Sequence, residues 1–364
     1  MRILVSGGAG FIGSNLVHYL LVKASHDLSI ELDRVVTLDK LTYSGNRMNL
    51  ADLSGDPRHV FVEGDICDSR LVSSLLREHQ IDAIMHLAAE THVDRSINNP
   101  EEFIKTNFVG TFRLIEAFRH YLLETGRLPE SLNGSSLADG CQSVFLHVST
   151  DEVFGSLGEN DPAFCESTAY SPNSPYSATK AGSDHIVRSY GHTYRMPVIT
   201  THCSNNYGPY QFPEKLLPLM ISKLLNGETL PIYGNGSNIR DWLYVEDHCR
   251  ALTRILLQGI FGKTYVIGGK CEMKNIDVVH TLIKVVRELV PERVTKTTNE
   301  LIGFVRDRPG HDQRYAIDPT RIENELGWFP KEDFSSGLRK TVQWYLNNED
   351  WIQMIENESC SRKN

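Results

Sequence analysis

The sequence predicts an α/β protein, a doubly wound parallel sheet followed by a smaller C-terminal domain. Over the first two hundred residues, short β-branched runs alternate with helical stretches, the pattern of parallel strands covered by helices. The runs are nearly continuous in apolar residues, as strands buried on both faces must be. Past Asn205 that rhythm breaks down, with more Pro, Gly and Asn and with shorter elements.

The first strand is expected over Arg2–Ser6, where Ile3-Leu4-Val5 supplies the apolar run. It feeds Gly7-Gly8-Ala9-Gly10-Phe11-Ile12-Gly13, and a helix is expected over Gly13–Lys23. Glycines at such a junction make a tight turn and let backbone N–H groups approach an anion, which the helix N-terminus then favours. A glycine-rich turn often only joins two elements, but the strand before it and the helix after it make this a Rossmann-type dinucleotide site. Gly7, Gly10, Phe11, Ile12 and Gly13 are therefore candidate cofactor residues.

The second strand, Arg34–Leu38, ends beside Asp39, 26 positions after Gly13. A carboxylate there bonds ribose hydroxyls and repels a 2′-phosphate, so it selects NAD over NADP, with Lys40 beside it acting the other way. The third strand, Val60–Glu63, leads to Asp65, placed to reach the adenine edge. Both aspartates are also residue types that cap helices and turns.

A helix over Ser69–Glu78 precedes the fourth strand, Ala83–Leu87, and a long helix over Pro100–Thr125 follows it. The fifth strand, Ser143–Ser149, the helix Tyr176–Tyr194 and the sixth strand, Val198–Cys203, continue the alternation. Residues 126–142 are polar and rich in Gly, Ser and Asn, and are expected to form a mobile surface insertion. The first domain is expected to span residues 1–204 and the second 205–364, with parts of the latter returning to the first. A last helix over Ser335–Asn347 is expected to precede a fraying polar tail.

Composition narrows the function. The net charge of -9 excludes a dedicated nucleic-acid binder, which needs a basic surface, but leaves room for a small anion held by local arginines. Seven scattered cysteines form no CxxC pair, so reduced thiols, a cytoplasmic location and no metal site are expected. No run approaches the roughly 18 apolar residues of a membrane span, and no leader precedes the first strand, so no membrane partner is expected.

Two constellations carry chemistry. Tyr176 and Lys180 stand four apart on a helical stretch, hence on one face. A phenol with a free pKa of about 10 is a poor base, and an adjacent ammonium is expected to lower it. In a chain with fourteen tyrosines one YxxxK is unremarkable by itself, and its place one strand-to-helix unit after Ser149-Thr150 makes it informative. Ser149-Thr150-Asp151-Glu152 closes the fifth strand, where an open α/β sheet puts its ligand. Ser149 or Thr150 can hydrogen-bond a reacting hydroxyl beside Tyr176. The two carboxyls that follow suit acid–base elimination, which needs one group to remove a proton and one to give it. They converge only if the chain turns after Thr150, and a solvated acidic turn or a helix cap is the competing reading.

Motifs along nearly the whole chain give a resemblance. They include Asp39-Lys40-Leu41-Thr42-Tyr43, His86-Leu87-Ala88-Ala89-Glu90-Thr91, Thr150-Asp151-Glu152-Val153, Ser174-Pro175-Tyr176-Ser177-Ala178-Thr179-Lys180, Cys203-Ser204-Asn205-Asn206-Tyr207-Gly208-Pro209, Ile239-Arg240-Asp241-Trp242 and Asp307-Arg308-Pro309-Gly310-His311-Asp312. The chain resembles the extended short-chain dehydrogenase/reductase superfamily and, within it, the bacterial nucleotide-sugar 4,6-dehydratases that act on dTDP-glucose. The resemblance implies tightly bound NAD and a three-step cycle. Tyr176, with Thr150 and Lys180, would deprotonate the C4 hydroxyl as the C4 hydride leaves for NAD. Glu152 would then remove the C5 proton while Asp151 protonates the departing C6 hydroxyl, and the hydride would return at C6 as C5 is reprotonated.

It also implies cofactor contacts at Lys40, Thr42, Ile66, Leu87, Ala88, Ala89, Thr106 and Asn206. Substrate contacts are implied at Thr91, Thr150, Asn205, Lys215, Arg240, Asn275, Arg306 and His311. Pairing of two copies through the Pro100–Thr125 and Tyr176–Tyr194 helices, a homodimer, is implied as well. Phe154 stands where the family usually has tyrosine, residues 126–142 have no obvious counterpart, and the tail after Trp351 looks short. Two other readings stay open: a nucleotide-sugar 4-epimerase, which has no use for Asp151 and Glu152, and a non-catalytic NAD-binding sensor, which has no use for Tyr176 and Lys180.

Overall fold

A computed structural model describes residues 1–131, 135–307 and 311–361. Its strands are β1 (Arg2–Ser6), β2 (Arg34–Asp39), β3 (His59–Glu63), β4 (Ala83–His86), β5 (Val144–Thr150), β6 (Val198–Cys203), β7 (Asn205–Tyr207), β8 (Leu230–Tyr233), β9 (Ile239–Tyr244), β10 (Thr264–Ile267), β11 (Glu272–Lys274) and β12 (Ile302–Val305). Seven of them form one parallel sheet in the order β10-β6-β5-β4-β1-β2-β3. The order reverses between β1 and β4, the switch point at which a doubly wound sheet opens a crevice at its carboxyl edge.

The expected strands all form, with shifts of a residue at some ends. The shift that matters is in β5, which runs on through Thr150, so that the chain turns one residue later. Two expected helices are less regular than their patterns. The first starts at Phe11 and passes into a π-helical turn at Tyr19–Lys23. The long one divides into Pro100–Phe103, a π-helical segment Ile104–Gly110, and Thr111–Glu124. Such wide turns gather at functional sites. Here the wide turn places Asn107, whose side chain donates to Glu90 O at 3.0 Å and to Thr179 Oγ1 at 3.0 Å, and accepts from Glu90 N at 2.8 Å. One buried amide thereby ties the end of β4 to the Pro175–Tyr194 helix.

Chain beyond residue 205 builds a second core and also returns to the first. Leu217, Met220, Leu224, Trp242, Val278, Leu282 and Leu338 pack into a cluster drawn wholly from that part of the sequence. The helix Val245–Gln258 instead joins Ile3, Val5 and Leu16, and β10 pairs with β6. The expected fraying tail is a correction. After Phe334–Asn347 a further helix runs over Glu349–Ser361, with Trp351, Ile352 and Ile355 buried. Their helical spacing gives the segment an apolar face, and Trp351 Nε1 donates to Asn49 Oδ1 at 2.9 Å.

Part of the 126–142 insertion, residues 132–134, lies outside the described residues. The remainder is anchored: Ser136 and Asp139 cap a short 3₁₀ turn, Leu137 and Cys141 pack on the first core, and Phe261 N donates to Ser135 O at 2.9 Å.

Candidate active site

The glycine loop is shaped by contacts that side chains would prevent. Gly7 has φ +75, and a Cβ on it would sit 2.6 Å from Ala88 N; a Cβ on Gly13 would sit 2.0 Å from Gly7 O. The first helix therefore packs directly on the end of β1. Gly10 is different: a Cβ there would meet only Gly7 O, at 3.4 Å, so its open side faces the cavity and a larger residue would fill that space. The backbone leaves a cradle at a helix N-terminus, which fits a dinucleotide pyrophosphate. Gly13→Ala is expected to displace the loop, and the protein should then purify without nucleotide absorbance while wild type retains it.

Asp39 supports this loop from β2. Its Oδ2 accepts from Ala9 N at 2.9 Å and its Oδ1 from Leu41 N at 2.8 Å. It is a turn clamp that also lines the cavity. Lys40 bonds Asp65 at 2.9 Å, so the charge that opposed NAD selection is partly neutralised. Every expected cofactor residue (Gly7, Gly10, Phe11, Ile12, Gly13, Asp39, Lys40, Thr42, Asp65, Ile66, Leu87, Ala88, Ala89, Thr106, Tyr176, Lys180 and Asn206) lines one continuous cavity.

The same cavity reaches the carboxyl end of β5 and takes in Thr150, Asp151, Glu152, Thr91, Asn205 and Lys215. The chain does turn after Thr150: Asp151–Phe154 is a single 3₁₀ turn, begun by Thr150 Oγ1 accepting from Glu152 N at 3.3 Å. Both carboxyls therefore line one cavity although they are sequence neighbours. Asp151 is 2 % exposed, and its Oδ2 has no hydrogen-bond partner among the described residues. Burial, then the charge of Glu152, pushes its carboxyl well above the ordinary carboxylate range. Thr150 Oγ1 lies 3.3 Å from Asp151 Oδ1, and the Thr150 side chain works against the rise of the Tyr176 phenol.

The expected lowering of Tyr176 by its neighbouring ammonium is corrected. Burial, then the charge of Glu152, pushes the phenol well above its ordinary value. Lys180 is buried, and its Nζ donates to Val148 O at 2.8 Å. Tyr176 is thus protonated at rest.

Four expected substrate residues stand elsewhere. Arg240, Asn275, Arg306 and His311 are not among the cavity's lining residues. They surround the segment 233–240. Arg240 is buried, stacks its guanidinium 4.2 Å from the Tyr315 ring centre, and donates to Asp312 O at 3.0 Å. Asn275 N bonds Asn238 O at 2.9 Å, His311 Nδ1 lies 2.6 Å from Asp307 Oδ1, and Arg306 follows Val305, which pairs with Tyr233. Arg308, Pro309 and Gly310 of the same motif lie outside the described residues.

Sequence reasoning missed other walls of the cavity, including Cys203, Ser204, Gln211, Phe212 and Glu214. Cys203 and Ser204 were detectable as neighbours of Asn205 and Glu214 as the neighbour of Lys215; Gln211 and Phe212 follow only from chain packing. Phe154, the departure from the family pattern, is 4 % exposed and packs on Phe164, Tyr170 and His202 at centroid distances of 5.2, 5.4 and 4.8 Å. A hydroxyl on that ring would be buried among aromatic rings.

With that geometry in hand, the sequence model of the GDP-mannose 4,6 dehydratase family matches residues 4–341. The chain belongs to this family. It is 52% identical over 366 residues to the dTDP-glucose 4,6-dehydratase of Shigella flexneri, an alignment covering 98% of this chain and 96% of that one. The crystal structure of the dTDP-glucose 4,6-dehydratase of Streptomyces venezuelae, solved with NAD bound, superposes with a TM-score of 0.86 and 43% identity, covering 98% of this chain and 100% of that one. A UDP-glucose 4-epimerase from Thermotoga maritima, solved with UDP-glucose, reaches a TM-score of 0.78 at 26% identity, covering 96% of this chain and 100% of that one. The fold is shared by dehydratases and epimerases, and the higher identity is to the dehydratases.

Proposed function

We propose that the protein is a dTDP-glucose 4,6-dehydratase that keeps NAD bound and converts dTDP-glucose to its 4-keto-6-deoxy derivative. The observation that carries this reading is Asp151, buried with an unpartnered carboxyl oxygen beside Glu152, in the cavity that also holds Tyr176. An epimerase acts at C4 alone and has no step for these two groups. A sensor needs neither them nor Tyr176.

The residues divide the work. The Gly7–Gly13 loop would hold the pyrophosphate of NAD, Asp39 its ribose hydroxyls, and Asp65 with Ile66 its adenine. When bound, NAD supplies a two-electron acceptor and donor. Tyr176 takes the proton of the sugar C4 hydroxyl, with Thr150 holding that oxygen and Lys180 supplying positive charge. Glu152 removes the C5 proton, which a C4 ketone acidifies. Asp151, kept protonated by burial, gives its proton to the C6 hydroxyl as it departs as water.

Residues 1–204 carry the cofactor half and 205–364 the nucleotide-sugar half. Thr91, Asn205 and Lys215 stand nearest the reacting sugar. Arg240, Asn275, Arg306 and His311 serve its diphosphate and base, since guanidinium forks suit phosphate oxygens.

A homodimer fits the surface. Ile104, Phe108, Val109 and Phe112 are exposed at 52, 37, 36 and 36 % in and just after the Ile104–Gly110 wide turn, beside the Pro175–Tyr194 helix. Such a run of exposed large side chains is an ordinary isologous interface. Gel filtration with light scattering should give twice the 41.1 kDa chain mass; a monomer at working concentration contradicts the pairing. No described helix is long and apolar enough to cross a membrane, and the described cysteines are free thiols, which supports a cytoplasmic enzyme.

Mass spectrometry of the product from dTDP-glucose, with no NAD added, tests the reading. A product lighter by one water supports it. Unchanged mass with galactose configuration indicates the epimerase. Running UDP-glucose in parallel reads the contribution of the base methyl, worth about 1–3 kcal/mol in a fitted pocket.

A further inference from the structure

Beneath the cavity the sheet carries a layer of buried polar groups that the chemistry above does not use. Ser6, His86 and His147 lie abreast on β1, β4 and β5, and Ser149 and His202 lie abreast on β5 and β6. Each is at most 4 % exposed. The Pro175–Tyr194 helix covers them and inserts Asp184, whose side chain is 2 % exposed. Asp184 Oδ1 accepts from His147 Nε2 at 2.9 Å, while its Oδ2 accepts from His202 Nε2 at 3.0 Å and Ser149 Oγ at 3.0 Å.

The charge of this group can be read from its hydrogen bonds. Nδ1 of His147 and Nδ1 of His202 are both buried with no partner among the described residues. Protonating either ring would leave an N–H donor buried and unsatisfied, at the full desolvation cost of that group. His147 therefore stays neutral and gives its one N–H to Asp184, while Nε2 of His202 lies 3.0 Å from both Asp184 Oδ2 and the Tyr170 hydroxyl. Hydrogen bonds from both rings hold Asp184 ionised against its burial, and a buried carboxylate needs a cation. Lys180 stands one turn earlier on the same helix, at the i,i+4 spacing that puts the two side chains side by side. Its Nζ donates to Val148 O at 2.8 Å. Lys180 and Asp184 thereby grip three consecutive residues of β5, His147, Val148 and Ser149, immediately before Thr150.

We propose that Asp184 is a positioning residue for the reaction: it fixes the end of β5 against the helix and supplies the counter-charge that keeps the Lys180 ammonium charged beside Tyr176. It acts through Lys180 and Thr150 and touches no reacting atom. The proposal rests on the dehydratase reading only for its activity assay. The groups facing Lys180 are Tyr176 and Asp184 from its own helix, His147 from β5, Cys203 from β6 and His86 from β4. Burial holds His86 and His147 neutral, the latter lowered to about 4, and pushes Cys203 up to about 12. Asp184 alone among them is charged at neutral pH. Burial pulls Lys180 below its ordinary value, and Asp184 is the strongest influence in the other direction.

The test is the pH profile of dTDP-glucose turnover by the NAD-loaded protein. In Asp184→Asn, Lys180 should lose its proton at lower pH, so the alkaline limb moves down by about one pH unit or more. Activity at neutral pH should fall by about 10- to 100-fold as Thr150 and Lys180 lose their setting. Asp184→Glu keeps the charge, so the limb should stay in place while the plateau drops. A lowered plateau with an unmoved limb in Asp184→Asn would reduce the residue to packing and overturn the proposal. Should that variant not fold, ¹⁵N-imidazole NMR of wild type decides: His147 should stay neutral and Nε2-protonated to about pH 5.5. Titration of His147 near its free value of about 6.5 would make histidinium the counter-charge and overturn it too. Failure of wild type to turn over dTDP-glucose would sink the dehydratase reading instead and leave the NMR result standing.

Discussion

Tyr176→Phe is expected to lower turnover of dTDP-glucose by about 10²- to 10⁴-fold, the range for loss of a positioned acid or base. The fold and the bound NAD should survive. The ring is buried and meets Phe103 edge-on at 6.4 Å, and phenylalanine keeps that packing. Only the hydroxyl is lost. Burial and Glu152 keep the phenol protonated, so the rate through this step should rise with pH in wild type. Removing the Glu152 charge should ease that ionisation while abolishing the step at C5. Glu152→Gln should therefore move the acid limb to lower pH in whatever C4 chemistry remains. A Tyr176→Phe protein with near-normal kcat would remove the phenol from the mechanism.

Asp151→Asn should cost a similar factor, about 10²- to 10⁴-fold, because a carboxamide cannot give up a proton to the leaving hydroxyl. Its effect on stability should have the opposite sign. The carboxyl is raised from its ordinary 3.8 by burial and by Glu152. A group raised in the folded state contributes stability fully present below its unfolded pKa and lost as pH rises through the folded one. Wild type should therefore lose stability relative to Asp151→Asn as pH climbs above about 4, and the variant should melt no lower than wild type at pH 8. A site built for proton transfer is stressed in just this way. Thermal melts of both proteins across pH, beside product assays, check the two signs together. A variant that is inactive and also less stable at every pH would mean that Asp151 holds structure rather than a proton.

Local features of the sequence were legible and long-range ones were not. The glycine loop and the parallel strands are encoded within a few residues and form where expected, while the turn that brings Asp151 and Glu152 together stood in the sequence only as a condition. The Ile104–Gly110 wide turn was not visible, because its cause is the grip of Asn107 on Glu90 and Thr179, 17 and 72 residues away. Asp184 read as an ordinary helical acid, since its partners lie 37, 35 and 18 positions from it. The tail read as polar because its apolar residues are few, and only their helical spacing shows a buried face. Arg240, Asn275, Arg306 and His311 entered through resemblance alone. The structure groups them at and around the segment 233–240, outside the residues that line the main cavity although the Arg240 charge still acts on Asp151, and no local pattern announces that grouping.

The ionisation of Tyr176 was the instructive error. Spacing puts Lys180 on the right face, but burial outweighs a neighbouring ammonium that is itself buried and bonded to Val148 O. The Tyr176–Lys180 spacing fixes which groups meet and not the pKa at which they work. That balance depends on Glu152, which lies 24 residues before Tyr176 in the chain.

The central claim is that Glu152 and Asp151 eliminate water across C5 and C6 in the cavity that holds Tyr176. Mass spectrometry of dTDP-glucose incubated with the purified protein in heavy water, without added NAD, tests it most directly. The account predicts a product that has lost one water and carries solvent deuterium at C5, and no such product from Glu152→Gln. A product of unchanged mass, or water loss that persists in Glu152→Gln, would contradict it.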